Sequence, residues 1–157
     1  MIRQQATQCE EAIPVDDTVV TDPLIHRLLP ALDPLSDFFW ASGRDGQLRL
    51  LRCGSCGYYS HPPSARCPRC LSGMMATEPV SGRGRVASFT INHQQWTPGQ
   101  QPYVIALVEI DEQPGLRLTT NIVGCEPEEV HAGMPVQVAF LERSGYWYPL
   151  FRPVPQP

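Results

Sequence analysis

The sequence predicts a mainly β protein: short helices first, then a zinc ribbon, then a five-stranded barrel of the OB type. Three observations carry this. Cys53-x2-Cys56 is followed ten residues later by Cys67-x2-Cys70. After Pro79 come five strand-sized apolar runs, with one small helical signal late in the order. Before the cysteines, Asp22-Pro23 and Asp33-Pro34 each open a short apolar pattern of helical spacing.

Residues 1–20 are polar and aperiodic and read as a flexible arm. Residues 21–46 form the helical segment. Leu24, Ile25, Leu28 and Leu29 make one apolar face, which Pro30 ends. Leu35, Phe38 and Phe39 follow at i, i+3 and i+4, and Gly43 supplies a stop. Helices this short are unstable alone and must dock. Leu35, Phe38, Phe39 and Trp40 are the candidates for docking on a partner subunit.

Residues 47–78 form the ribbon. Leu48–Arg52 reads as a strand that feeds the first cysteine pair. From Cys53 to Ala76 there are few large apolar side chains, so this stretch cannot build its own core. Cys53, Cys56, Cys67 and Cys70 instead suit one tetrahedral cation, with Zn–S near 2.3 Å. Gly57 and Pro68 suit the tight turns, and Arg52, Arg66 and Arg69 offset thiolate charge. With all four ligands cysteine, no position is open for metal-assisted hydrolysis, so the predicted zinc is structural. A redox CxxC and disulfides are the competing readings; a thioredoxin-type motif needs a βαβ context that is absent. Cys9 has no nearby base in sequence; a catalytic cysteine would need a distant one, His26 or His131, and Cys125 reads instead as a buried small hydrophobe.

Residues 79–153 form the barrel domain and 154–157 a proline-marked tail. Gly82-Arg83-Gly84 precedes no helical pattern, so it turns the chain into the first strand rather than cradling phosphate. Ala87, Phe89, Ile91 and His93 fall on one face of that strand and Val86, Ser88, Thr90 and Asn92 on the other. Tyr103–Ile110 is apolar on both faces except at Glu109. Leu116–Val123 alternates; Val136–Phe140 and Tyr146–Phe151 complete the five. Glu126–Val130 is the small helix, acids first, closed near Gly133. The connection Gln94–Pro102 carries no charge, one tryptophan and several amides, which suits a neutral ligand, a protein surface or a solvated hairpin loop.

Composition narrows the chemistry. All twelve basic residues are arginine, so lysine-based Schiff-base, phosphate-loop and general-base chemistry is excluded. Net charge runs −5 over residues 1–43, +5 over 44–85 and −4 over 86–157. The acidic barrel segment opposes the alternative of a single-stranded nucleic-acid module, which needs cations beside its aromatics. The longest apolar run, Tyr103–Val108, is too short to span a membrane, and the N-terminal residues are too polar for a signal peptide. A cytoplasmic protein with reduced thiols is expected.

The order of motifs resembles a known family. Phe38-Phe39-Trp40, Gly46-Gln47-Leu48 and Cys53-x2-Cys56-Gly57 lead into Pro62-Pro63-x3-Cys67-Pro68-x-Cys70. Gly82-Arg83-Gly84-Arg85-Val86-x2-Phe89-Thr90, His93 and Pro102–Val108 follow. Thr120–Cys125, Gly133–Val136 and Phe151-Arg152-Pro153 close the series. Over about residues 33–153 this resembles the acyl-CoA-associated zinc-ribbon/OB-fold proteins, once catalogued as a domain of unknown function. His61 stands where that family usually has phenylalanine.

The resemblance implies a rubredoxin-like ribbon and a non-catalytic accessory subunit that binds or positions acyl-CoA beside a thiolase-like partner, a thiolase or an aldolase. Partners of hot-dog-fold enoyl-CoA hydratases are a further alternative in the family. The catalytic residues would lie in the partner, and a CoA thioester would be the ligand. Phe89, His93, Trp96, Tyr103 and Asn121 are the candidates for lining the acyl tunnel. Arg83 and Arg85, with ribbon residues Arg49, Arg52, Arg66 and Arg69, are candidates for CoA phosphates or for a solvated face.

Overall fold

The computed structural model describes residues 22–24, 27–31 and 33–154. One short helix, α1 (Asp37–Ala41), continues into a 3₁₀ turn (Ser42–Asp45). The ribbon strands are β1 (Arg49–Cys53), β2 (Tyr59–Ser60) and β3 (Met75–Pro79), in the sheet order β2-β1-β3. The barrel strands are β4 (Arg83–Asn92), β5 (Tyr103–Ile110), β6 (Arg117–Ile122), β7 (Pro135–Arg143) and β8 (Tyr146–Pro153). They close in the order β4-β5-β6-β8-β7. Numbered one to five, that is 1-2-3-5-4 with four returning to one, the connectivity of an OB barrel. Closure rests on two short contacts. β4 meets β7 at Arg83–Arg85 against Gln137–Pro135, and β6 runs parallel to β8 at Ile122 and Phe151. No helix among the described residues is long and apolar enough to cross a membrane.

The cores of ribbon and barrel are one. Leu48 and Leu50 enter from the ribbon end and are 1% and 0% exposed, beside Val86, Val108, Leu118, Val136 and Phe151. Each such burial is worth about 1.5–3 kcal/mol, and the ribbon has no other large apolar cluster to join. Polar contacts hold the seam. The Val80 amide donates to the Leu48 carbonyl at 2.8 Å. Gln113, in the β5–β6 connection, accepts from the Tyr59 amide at 2.8 Å and donates to the Tyr59 carbonyl at 3.1 Å. Its side-chain amide thus pairs with β2 as a strand residue would.

The first barrel strand departs from simple alternation. A bulge between Val86 and Ser88 shifts the β4–β5 register. Val86 then faces Val108, Phe89 faces Ala106 and Ile91 faces Val104. Directly opposed residues share a face, so Val86 joins Phe89 and Ile91 instead of lying opposite them. The late helix appears as a 3₁₀ turn (Pro127–Glu129), and its Glu126 and Glu129 make the reciprocal capping box.

The N-terminal segment corrects the expectation of two helices. Asp22-Pro23 opens none among the described residues. The Asp22 carboxylate does accept from the Leu24 amide at 2.9 Å, but it also binds Arg27 at 2.9 Å and Arg143 at 3.4 Å. Arg27 lies 5.1 Å from the Tyr148 ring centre and donates to Asn121 Oδ1 at 2.9 Å. The Tyr148 hydroxyl donates to the Leu28 carbonyl at 3.0 Å. Tertiary polar contacts therefore hold this strap across β6 and β8, and Leu28 and Leu29 stay exposed. The expected arm, residues 1–20, and most of the tail lie outside the described residues.

The second start signal is displaced. The Leu35 amide donates to Asp33 Oδ1 at 2.9 Å, but α1 begins only at Asp37, with Ser36 as its N-cap. Gly43 does not stop it. The 3₁₀ turn runs on to Asp45, and Gly46, at φ +74°, ends it. Gly43 is needed for close approach, since a Cβ there would lie 2.5 Å from Phe140 Cδ1 and 2.7 Å from Trp147 Cβ. The proposed docking residues meet this chain's own barrel. Phe39 is buried in the common core, and Trp40 packs edge-on against Tyr148 at 5.5 Å. Leu35 and Phe38 are half-buried, and Phe38 packs against the same core.

His61 does the work of an aromatic. Its ring lies 5.0 Å from that of Phe39, and its Nδ1 is buried without a hydrogen-bond partner among the described residues. Burial pushes its imidazole down from 6.5 to about 4. Between those values the unfolded chain binds the extra proton, so stability is present above pH 6.5 and falls as pH drops toward 4. The loss reaches about 3 kcal/mol. His61→Phe should therefore match or exceed the wild type in urea unfolding at pH 7.5, and its advantage should grow by about 2–3 kcal/mol at pH 4.5. A constant difference across that range would refute the buried neutral imidazole.

Candidate functional site

Two turns of the ribbon converge on one point. The four cysteine sulfurs lie within 4.8 Å of one another. Cys53 and Cys70 are 3.6 Å apart, as are Cys56 and Cys67. A tetrahedron with arms of 2.3 Å has edges of about 3.8 Å, so the sulfurs fit one zinc ion. Four thiolate donors leave it no open position, and its role is structural.

The two turns are copies of one design. In each, the residue four after the first cysteine donates back to that cysteine's carbonyl: Gly57 to Cys53 at 2.8 Å, Leu71 to Cys67 at 2.9 Å. In each, the cysteine amide donates five residues ahead: Cys53 to Tyr58 at 2.9 Å, Cys67 to Ser72 at 2.8 Å. In each, the preceding arginine donates across the turn, Arg52 to the Gly57 carbonyl and Arg66 to the Leu71 carbonyl, both at 3.2 Å. The arginines thus brace the turns as well as offsetting charge.

Ionisation of the thiols is uneven. Burial opposes ionisation of Cys53, but backbone N–H groups of Cys56 and Ser55, with Cys70 and Cys56, bring it down to about 6. For Cys70, the Ser72 amide favours the thiolate, but Cys56, burial and the other cysteines push it up to about 12. Four negative sulfurs cannot coexist this close without a cation. A dication supplies that charge and holds the turns together.

The turn geometry shows a residue that sequence reading missed. The fourth position needs a left-handed backbone, with φ +73° at Gly57 and +62° at Leu71. Glycine accepts this freely; leucine does not. The repeated Arg-Cys-x-x-Cys frame carried the signal, since aligning its two copies sets Leu71 against Gly57.

Three of the four ribbon arginines expected to meet phosphate, Arg49, Arg52 and Arg66, already have partners, and Arg69 is exposed. Arg49 binds Asp45 at 2.6 Å and holds that carboxyl down to about 2. Arg52 binds Glu78 at 3.1 Å and lies 5.3 Å from the Tyr59 ring centre. On the barrel, Arg83 and Arg85 are exposed at the start of β4, and Arg85 donates to the Gly133 carbonyl at 3.2 Å.

The tunnel candidates separate into two groups. Phe89, His93 and Trp96 lie along the far half of β4 and the loop after it, all exposed, Trp96 at 74%. Strand rise puts His93 roughly 25 Å from Arg85 along the chain. Tyr103 lies opposite Asn92 and is buried. Asn121 is buried too, and its amide is engaged at both ends, donating to the Val104 carbonyl at 2.8 Å and accepting from Arg27. In the loop, buried Gln100 accepts from the Trp96 amide at 3.2 Å and donates its own amide to Thr97 at 3.1 Å. One glutamine is therefore a structural peg that presents Trp96 outward.

Comparison with known proteins agrees with this architecture. Residues 40–76 match the family model described as the ChsH2 rubredoxin-like zinc ribbon domain, and residues 77–141 match the ChsH2 C-terminal OB-fold domain. A probable enoyl-CoA hydratase alpha subunit of Thermomonospora curvata is 38% identical over 137 residues, covering 85% of this chain and 42% of that protein. A DUF35 domain-containing scaffold protein of Methanocaldococcus jannaschii is 38% identical over 93 residues, covering 57% of this chain and 64% of that one. A chain of the solved Ltp2-ChsH2(DUF35) aldolase superposes with a TM-score of 0.72 at 37% identity, covering 80% of this chain and 98% of that one. The chain thus spans less than two thirds of the length of both sequence relatives.

Two outcomes follow from the ribbon. Elemental analysis should find one zinc per chain, and its removal by chelation should lower stability by several kcal/mol. Because Leu48 and Leu50 belong to the common core, amide exchange should then quicken in β4–β8 as well as in the ribbon. Leu71→Gly should relieve the left-handed strain and raise stability by about 1 kcal/mol, or about 2–4 °C in Tm. An unchanged or lower Tm would remove that account of the turn.

Proposed function

Because the chain belongs to the ChsH2 family of rubredoxin-like zinc-ribbon and OB-fold proteins, we propose that it is a non-catalytic accessory subunit of an acyl-CoA-processing enzyme. The barrel positions a CoA thioester beside a thiolase-like partner, a thiolase or an aldolase, whose own residues carry out the chemistry. One observation carries the reading. A coordinatively closed metal ribbon supports a barrel that exposes two aromatics, Phe89 on β4 and Trp96 in the uncharged loop that follows it. Such a surface suits contact with an acyl chain or a protein.

In this reading Phe89, His93 and Trp96 meet the acyl group and the adjoining pantetheine. Tyr103 and Asn121 support that surface from beneath. Arg83 and Arg85, at the other end of β4, face the phosphates. A long, extended ligand with an apolar end and an anionic end matches this division along one strand. The likeness to a hydratase alpha subunit over 85% of this chain favours a hot-dog-fold hydratase as the second choice of partner. The net −4 of residues 86–157 disfavours a nucleic-acid role.

Calorimetric titration of the chain, alone and with the enzyme subunit that copurifies with it, against a long-chain acyl-CoA tests the proposal. Trp96→Ala and the double change Arg83→Ala/Arg85→Ala should each weaken binding at least tenfold, with unchanged zinc content. Equal binding by both variants would exclude these residues as the site. The absence of acyl-CoA binding in both preparations would reject the positioning role.

A further inference from the structure

We infer that the open edge of β4, from Ala87 to Asn92, is where the enzyme subunit docks, by adding an extended segment of its own as a further strand. The inference rests on the accessory-subunit reading and specifies how that assembly is made. β7 covers β4 only at Arg83–Arg85, and one more pair of backbone bonds joins Val86 to Gly133 and Met134. Beyond Val86, β4 pairs with β5 on one side, and among the described residues no strand pairs with the other. Four consecutive residues, Ala87, Ser88, Phe89 and Thr90, are exposed. This leaves about 20 Å of strand whose outward N–H and C=O groups are available to a new backbone.

The edge lacks the devices that normally blunt such a template. Proteins protect free edges with charges, especially lysine, with proline, or with very short strands. Ala87-Ser88-Phe89-Thr90-Ile91-Asn92 has no charge and no proline, and the whole chain has no lysine. Three other strands carry such devices. β2 has two residues, β3 ends in Glu78-Pro79, and β8 carries Pro149 and Pro153. The bulge after Val86 is what swings β4 free of β7 and sets Phe89 and Ile91 on one side.

The occupant follows from the proposed site. Phe89 belongs to this edge, and His93 and Trp96 continue it. The reacting groups must come from the enzyme subunit, so that subunit has to abut this stretch. A strand added along β4 would run beside Phe89 and bring the partner's surface to Phe89, His93 and Trp96. Its chemistry is an extended, uncharged segment with apolar side chains opposite Phe89 and Ile91, as in β-strand addition generally. A second copy of this chain could also pair there, but it would bring no catalytic group.

The test uses the tagged full chain and the thiolase- or hydratase-type subunit that copurifies with it, identified by mass spectrometry. Amide exchange is compared between the free chain and the complex, and Ser88→Lys/Thr90→Lys is the edge variant. Both side chains are exposed, and an unchanged Tm and zinc content confirm that the variant folds. At least tenfold slower exchange over residues 87–92 in the complex, with at least tenfold weaker assembly of the variant, is expected. A complex in which these amides exchange as in the free chain, or which the variant leaves intact, overturns the inference and spares the accessory reading. No copurifying enzyme subunit overturns both. Concentration-dependent protection of residues 87–92 in the chain alone assigns the edge to a second copy and overturns the inference.

Discussion

Two leucines from the ribbon end inside the barrel, and the rest of the molecule depends on that burial. A zinc ribbon of this length is held by its metal and by little else. Here β1 and the residue before it carry Leu50 and Leu48 into a core that also takes Phe39 from α1 and Val86, Leu118 and Phe151 from the barrel. The hydrophobic effect therefore stabilises ribbon, helix and barrel as one cooperative unit. Gln113 paired with the Tyr59 backbone, and Val80 bonded to Leu48, fix the orientation that the leucines make favourable. Metal chemistry and barrel stability are coupled through this seam.

The absence of lysine becomes intelligible at the same place. Arg52 and Arg66 reach carbonyls across the turns that hold the cysteines, and Arg27 joins Asp22, Asn121 and the face of Tyr148. Each uses a planar fork with several fixed donors, or a stacking surface, and an ammonium offers neither. The arginine-rich middle of the chain is thus a structural feature first. Only Arg83 and Arg85, at the mouth of β4, remain as exposed cations in the proposed ligand-binding region. The barrel mirrors this economy. Two of its buried polar groups, Asn121 and Gln100, hold the strap and the loop in place, while Ala87–Thr90 and Trp96 present an uncharged surface.

Much of this was legible because certain residues have few uses. Paired cysteines at this spacing have one common solution in a chain without a βαβ context, so the metal ligands needed no tertiary information. Strand runs and the short helical signal at Glu126–Val130 report local backbone preference, and both stand where the pattern put them. Other positions misled for reasons equally physical. Asp22-Pro23 has the local grammar of a helix start, but two arginines compete for the carboxylate. Gly43 reads as a stop, yet its lack of a side chain serves contact with Phe140 and Trp147. Phe39 reads as a docking residue, and the surface it docks on is the chain's own. Leu71 carries no local signal of its own, and the backbone shows it in a glycine's conformation.

What the sequence by itself determined is therefore local and compositional: the four-thiolate metal site, the five strands and their order, the exclusion of lysine chemistry, and the family to which the motifs point. Only the tertiary structure decided which faces meet. It showed that β4 leaves β7 after Val86 and so keeps an open edge, and that the arginine and aromatic candidates lie at opposite ends of that strand. It also showed that the helix closes on its own barrel. Spacing along a chain encodes backbone periodicity and ligand geometry. Register, bulges and the pairing of distant charges depend on contacts between segments far apart in sequence, and no single segment carries that information.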